Sequence, residues 1–169
     1  MSLLYLASAL REHGLEPVVL DANAFCMTDD QIIAQVQSLR PLIVGLSLYS
    51  EILRQVRDIS GLVRKACPSA RIVLGGPHAT AVPRQTMACF PDVDYVLTGE
   101  AEDSLPMLCK AVQSRGPEAK IPGLFYRDAD RILEAPPAQF PDVNRLPEPA
   151  RDLVANAYQQ KRYYTLMVR

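Results

Sequence analysis

The chain reads as an α/β protein built on a doubly wound parallel sheet. Short apolar runs alternate with amphipathic helical stretches three times between Pro17 and Leu74. The run Leu42-Ile43-Val44-Gly45-Leu46-Ser47 is apolar throughout, as a strand covered on both faces must be. A third run, Ile72-Val73-Leu74, leads straight into Gly75-Gly76-Pro77-His78-Ala79-Thr80, where two side chains vanish at a strand end. In a parallel sheet that end is where ligands lie. The glycine pair is therefore either a ligand-binding floor or a tight turn between strand and helix.

Leu3, Leu4, Leu6, Ala7 and Leu10 recur at helical spacing and stop at His13-Gly14, so the chain opens inside a helix. Pro17 to Leu20 is expected as a short strand ending at Asp21. Thr28-Asp29-Asp30 supplies an N-cap for a helix carrying Ile32, Ile33, Val36 and Leu39, which Pro41 closes. After the strand ending at Ser47, Ser50-Glu51 begins a helix presenting Ile52, Leu53, Val56, Ile59, Leu62 and Val63, and Pro68 ends it. The strand Arg71 to Leu74 follows. A shorter helix around Pro83 to Cys89, a strand from Asp94 to Leu97, the turn Thr98-Gly99-Glu100 and a helix from Glu102 to Gln113 complete a unit over 1–116. Its strand carboxyl ends are Asp21 to Ala24, Ser47 to Ser50, Gly75 to Thr80 and Gly99-Glu100.

Beyond Gly116 the pattern changes. Leu124 to Arg127 and Arg131 to Leu133 flank Asp128-Ala129-Asp130 as a hairpin does, giving an edge appendage over 117–135. Prolines 136, 137, 141, 147 and 149 then mark an extended strap or linker within 136–169. Arg151 to Arg162 reads as a helix and Tyr163 to Val168 as an apolar strand.

With 169 residues, one domain with an appended segment is expected. Eighteen basic against nineteen acidic side chains leave a net charge of -1 with no like-charged run, which argues against a nucleic-acid surface. No apolar stretch approaches the roughly 20 residues of a membrane span and no secretory leader is visible, so a soluble cytoplasmic protein is expected. Cys26, Cys67, Cys89 and Cys109 form no close pair; no metal site follows from them, and the last three are expected as buried apolar residues.

The motifs in this order resemble the cobalamin-binding domain that precedes the catalytic barrel in cobalamin-dependent radical S-adenosylmethionine enzymes, a Rossmann-like or flavodoxin-like fold. The resemblance rests on Leu4 to Arg11 with Gly14, Val44-Gly45-Leu46-Ser47, Gly75 to Thr80, Thr98-Gly99-Glu100 with Glu102, and Ile121-Pro122-Gly123-Leu124 with Tyr126-Arg127. Arg145 to Leu153 is similar to the family's linker into the barrel. It implies cobalamin as ligand, held by Ser47, Tyr49, Gly75, Gly76, His78, Thr80, Gly99 and Glu100. Ser47 either bonds the nucleotide tail or caps a turn, Thr80 either donates to the nucleotide or caps the short helix, and Tyr49 either lies against the macrocycle or packs in the core. Gly99-Glu100 either holds a ribose or amide edge or simply turns the chain. No residue here is expected to be catalytic.

Two departures stand out. The family's strand before the first helix and the barrel's CxxxCxxC cluster motif have no counterpart, so a fragment of a methyltransferase or of a cyclase like that for Mg-protoporphyrin monomethyl ester is implied. S-adenosylmethionine and the [4Fe-4S] cluster then belong to an absent downstream domain, and this fragment alone is expected to be inactive. The DxHxxG motif of classical cobalamin modules, whose histidine is the lower ligand to cobalt, has no match here, and the resemblance implies a base-off cofactor without a protein histidine ligand. A homodimer through an exposed sheet edge is a further expectation. The alternative is a cofactor-free flavodoxin-like signalling or protein-interaction domain; receiver chemistry lacks its lysine, and no GxGxxG or Walker motif supports a nucleotide site.

Overall fold

The computed structural model describes residues 2–22, 25–129, 131–138 and 140–154. Its centre is a five-stranded sheet in the order β1 (Ile43–Ser47), β2 (Arg71–Gly75), β3 (Tyr95–Leu97), β4 (Leu124–Asp128) and β5 (Arg131–Glu134). The first three strands are parallel, with Val44 opposite Ile72 and Leu74 opposite Val96. The hairpin β4–β5 continues the same sheet antiparallel, with Val96 opposite Phe125. It is therefore a true edge of the sheet, hydrogen-bonded to the strands that carry the site.

Both faces are covered because neighbouring residues of one strand point opposite ways. Ile72, Leu74 and Val96 enter one core with Val36 of α2 (Asp29–Leu39), Val56 and Val63 of α3 (Leu53–Ala66), and Met87 of α5 (Pro83–Cys89). Val73, Tyr95 and Leu97 enter the other with Leu108 of α6 (Ser104–Ser114). The opening helix, α1 (Ser2–Glu12), packs beside α6 and buries Leu4 and Ala7.

Local chemistry explains most boundaries. Thr28 and Gln31 form a reciprocal capping box at the start of α2, and α1 gives way to Gly14 at φ +75°. Ser50–Ile52 is a single 3-10 turn before α3 rather than part of the α-helix, and Pro77–Ala81 forms a short additional helix, α4. At the amino ends of the strands the Asp94 carboxylate takes Arg64 at 2.5 Å, Arg71 at 2.9 Å and the Ile72 amide at 2.8 Å. That clamp fixes β2 against β3 at the end opposite the glycine pair.

Pro17 to Leu20 is not a strand. Val18 is 62% exposed, and Leu20 lies with Phe25 and Met27 over Gln31, Ala34 and Gln35 of α2 around a cavity of about 410 Å³. A strand needs a hydrogen-bonded neighbour about 4.8 Å away. None of the described strands lies beside it, and β1 stands at the end of the sheet. Cys67 and Cys109 are buried, and burial pushes the Cys109 thiol up to about 11, but Cys89 at the end of α5 is exposed, contrary to expectation. It occupies the last turn of a seven-residue helix, on the face opposite Met87.

The strap runs back across the fold. Ser8 Oγ donates to the Glu148 carbonyl at 2.6 Å, the Ala150 amide donates to the Leu4 carbonyl, and Arg11 pairs with Asp152 at 2.7 Å. Arg151–Val154 is a 3-10 turn; the rest of the expected helix to Arg162, and the run Tyr163 to Val168, lie outside the described residues. No helix among the described residues is long and apolar enough to cross a membrane.

Candidate functional site

Three loops meet at the carboxyl ends of β1, β2 and β3. The loop after β1 is laced to the loop after β2 by the Leu48 amide donating to the Gly75 carbonyl at 2.8 Å and the His78 amide donating to the Leu48 carbonyl at 3.2 Å. Ser47 and Tyr49 flank Leu48 and are half-buried. Leu48 itself is fully buried, so it anchors the loop on which they stand.

Gly76 has φ +98° and ψ -178°, a region essentially reserved for glycine. A Cβ there would sit 3.1 Å from the Leu48 carbonyl oxygen and 3.2 Å from its nitrogen. The missing side chain makes room for the chain's own backbone. Gly75 is less constrained, since its Cβ would meet the Leu97 carbonyl at an ordinary 3.7 Å.

Pro77 then sets the first turn of α4, whose residues His78 and Thr80 face the neighbouring loops. His78 Nδ1 and Ser50 Oγ share a hydrogen bond of 2.9 Å. Thr80 Oγ1 accepts from the Gly99 amide at 3.0 Å, tying the β2 loop to the β3 loop and leaving the hydroxyl hydrogen available to donate. Gly99 has φ +70°, and its bare side faces Ala138 of the strap, whose Cβ would be 3.0 Å from one on Gly99. Glu100 is exposed.

Glu102 is the residue whose environment the sequence did not reveal. It is 6% exposed and its Oε2 has no hydrogen-bond partner among the described residues. Burial raises its pKa above the usual carboxylate range, backbone N–H groups at Glu102 and Ala101 partly offset this, and the charges of Glu100 and Asp103 raise it further. Glu102 stands in the acidic run Glu100-Ala101-Glu102-Asp103 just before a helix, a pattern that reads as exposed first-turn acids and gives no sign of burial. Ser50 was likewise missed as the partner of His78.

The structure thus brings Ser47, Tyr49, Gly75, Gly76, His78, Thr80, Gly99 and Glu100 to one end of the sheet. Two of the glycines are explained by contacts within the chain. His13, in contrast, hydrogen-bonds the Ala9 carbonyl through Nδ1. Among the described residues, no three His, Cys, Asp or Glu side chains converge as metal ligands would.

Comparison with known proteins gives a consistent assignment. An uncharacterised methyltransferase of Pyrococcus horikoshii is 31% identical over 157 residues, 91% of this chain and 34% of its own length. The anaerobic magnesium-protoporphyrin IX monomethyl ester cyclase of Synechocystis is 27% identical, matching 94% of this chain and 33% of its own. This chain therefore spans about a third of the length of these relatives. Among solved structures, the radical S-adenosylmethionine methyltransferase TsrM from Kitasatospora setae superposes with a TM-score of 0.71 at 25% identity, over 82% of this chain and 27% of that one. The cobalamin-dependent S-adenosylmethionine radical enzyme OxsB shares the fold at a TM-score of 0.80 and 22% identity, over 94% of this chain and 22% of its own. The model of the B12 binding domain matches residues 1–109, well over half the chain, and the protein belongs to that family.

Proposed function

We propose that this chain binds cobalamin over the carboxyl ends of β1, β2 and β3, as the cofactor-holding part of a longer radical S-adenosylmethionine enzyme. The observation that carries the reading is the gathering of Ser47, Tyr49, His78 and Thr80 at the one sheet end where a parallel fold opens to ligands, with the unpartnered Glu102 carboxyl buried in the segment that follows β3. A cobalamin carries amide side chains, a ribose and a phosphate. The hydroxyls of Ser47 and Thr80 suit the nucleotide tail, and the unmet Glu102 oxygen suits an amide or hydroxyl donor. Tyr49 offers a half-buried ring for the macrocycle.

Base-off binding without a histidine ligand is the mode that the family resemblance favours for this chain, and neither of its histidines stands free to serve as a dedicated ligand. His78 is engaged with Ser50 and His13 with the Ala9 carbonyl. Bound cobalamin supplies a cobalt centre able to carry a one-carbon group or pass an electron. The chain's own part is to fix the tail, keep its polar groups matched and present the macrocycle outward. S-adenosylmethionine and an iron-sulfur cluster are then the business of a neighbouring domain in the longer protein, which transfers a methyl group or closes a ring oxidatively at an unactivated carbon.

The test is retention of hydroxocobalamin after anaerobic reduction and gel filtration, read from the visible spectrum of the protein peak. The parent chain retains the cofactor. A Ser47→Trp variant, which fills the end of β1, loses it while its far-ultraviolet circular dichroism stays unchanged. Failure of the parent to retain cobalamin would overturn the reading in favour of a cofactor-free domain, and equal retention by a folded variant would move the site away from Ser47.

A further inference from the structure

Beside His78, a groove of about 300 Å³ opens between the first turns of α3 and helix α5. That is the lower end of the size range for small-molecule pockets, roughly 300–1,000 Å³. Its floor is apolar: Phe90 is buried, Leu53 is half-buried, and both belong to the core beneath α3. Its rim is cationic. Arg54 and Arg57 project from successive turns of α3 and are exposed. Arg54 reaches Asp58 only at 4.0 Å, a distance at which an exposed pair contributes little, and Arg57 has no ion-pair partner among the described residues. Thr86, in the wall, is 2% exposed with its hydroxyl unpartnered among the described residues.

This combination selects a ligand class. A cation is repelled by the two guanidinium groups, and a sugar or other fully polar molecule finds an apolar floor that cannot replace its hydration. A compact polyanion meets the two guanidinium groups but gains nothing from the apolar floor, which only a hydrocarbon can use. We infer that the groove is a second ligand site, adjoining the strand-end site at His78, for a small amphipathic monocarboxylate whose head group meets Arg57 and Arg54 and whose hydrocarbon lies on Leu53 and Phe90. Guanidinium and carboxylate match in shape as well as charge, which gives the head group its orientation. The groove shares His78 with the strand ends, so an occupant sits against the His78–Ser50 pair.

Cys89 lines the groove and is exposed, and so reports on it. In a Cys26→Ser background the remaining thiols, Cys67 and Cys109, are buried. Alkylation of Cys89 by neutral iodoacetamide is followed by peptide mass spectrometry while octanoate is titrated below its micellar range. Protection is taken as the rate ratio with and without octanoate, so that a changed thiol reactivity cancels. The expected result is saturable protection, roughly tenfold when octanoate exceeds its Kd by ten. An Arg57→Glu variant, altered at an exposed position, requires at least about tenfold more octanoate, as loss of a charge-assisted contact demands. Octanol and octyltrimethylammonium at the same concentrations protect weakly or not at all. Absence of protection by octanoate, equal protection by octanol or the cation, or an unchanged titration in Arg57→Glu would each overturn the inference.

Discussion

Gly76 and Glu102 each make a demand on the fold that a measurement of stability can read. With φ +98° and Leu48 backbone 3.1 Å from where a Cβ would stand, Gly76 holds two strand loops together before any ligand arrives. Gly76→Ala is expected to lower stability by about 1–3 kcal/mol, the cost of forcing a side chain into such a conformation. Urea unfolding measures it, and an unchanged midpoint would mean that the two loops separate freely. Glu102 adds a pH signature. Burial raises its folded pKa, so the folded chain keeps a proton that the unfolded chain sheds as pH rises through the ordinary carboxylate range. Stability is therefore undiminished in acid and falls with rising pH until the raised pKa is passed. Glu102→Gln removes that fall, and its advantage over the parent grows from roughly pH 4 upward. Parallel stability profiles for the two proteins would show that the carboxyl is solvated after all.

At the scale of elements, what the sequence discloses is burial and punctuation, and what it withholds is partnership. The capping box at Thr28, the apolar run of β1, the amphipathic stripe of α3 and the turn at Asp128-Ala129 were legible, because each is a local consequence of side-chain chemistry. Pro17 to Leu20 carries the same local marks as β1 yet forms no strand. Leu20 finds cover over α2 while Val18 stays exposed, and alternation or apolarity cannot say whether a hydrogen-bonding neighbour stands beside the backbone. The site was legible to the same extent. The strand ends could be located, since a parallel sheet fixes them, but the Thr80 bond to Gly99, the Ser50 bond to His78 and the burial of Glu102 depend on loops meeting across long sequence separations. Cys89 failed for a related reason. A short helix shows too few residues to reveal which face it buries.

For the whole molecule, the two edges of the sheet differ. β5 bears Arg131 and Glu134, and Arg84 donates to both the Ile132 carbonyl and the Glu134 carboxylate, so charge and side chains guard that edge. β1 is Ile-Val-Gly-Leu-Ser, without a charge or a proline, and its outer side pairs with no strand among the described residues. An apolar edge strand without a strand partner is a template for another strand, and a second copy of the chain offers the same one. Self-association that grows with concentration is therefore expected in light scattering. Gly45 is the place to block it: the residue is exposed, and a Cβ there would meet only Val73 Cγ1, at 3.8 Å. Lysine at that position sets a charge on the edge without disturbing the core, so Gly45→Lys is expected to remain monomeric at concentrations where the parent dimerises, with the same circular dichroism. A parent chain that stays strictly monomeric when concentrated would show that the edge of β1 is shielded by its own fold, and that Pro17 to Leu20 reaches further over it than a missing ladder suggests.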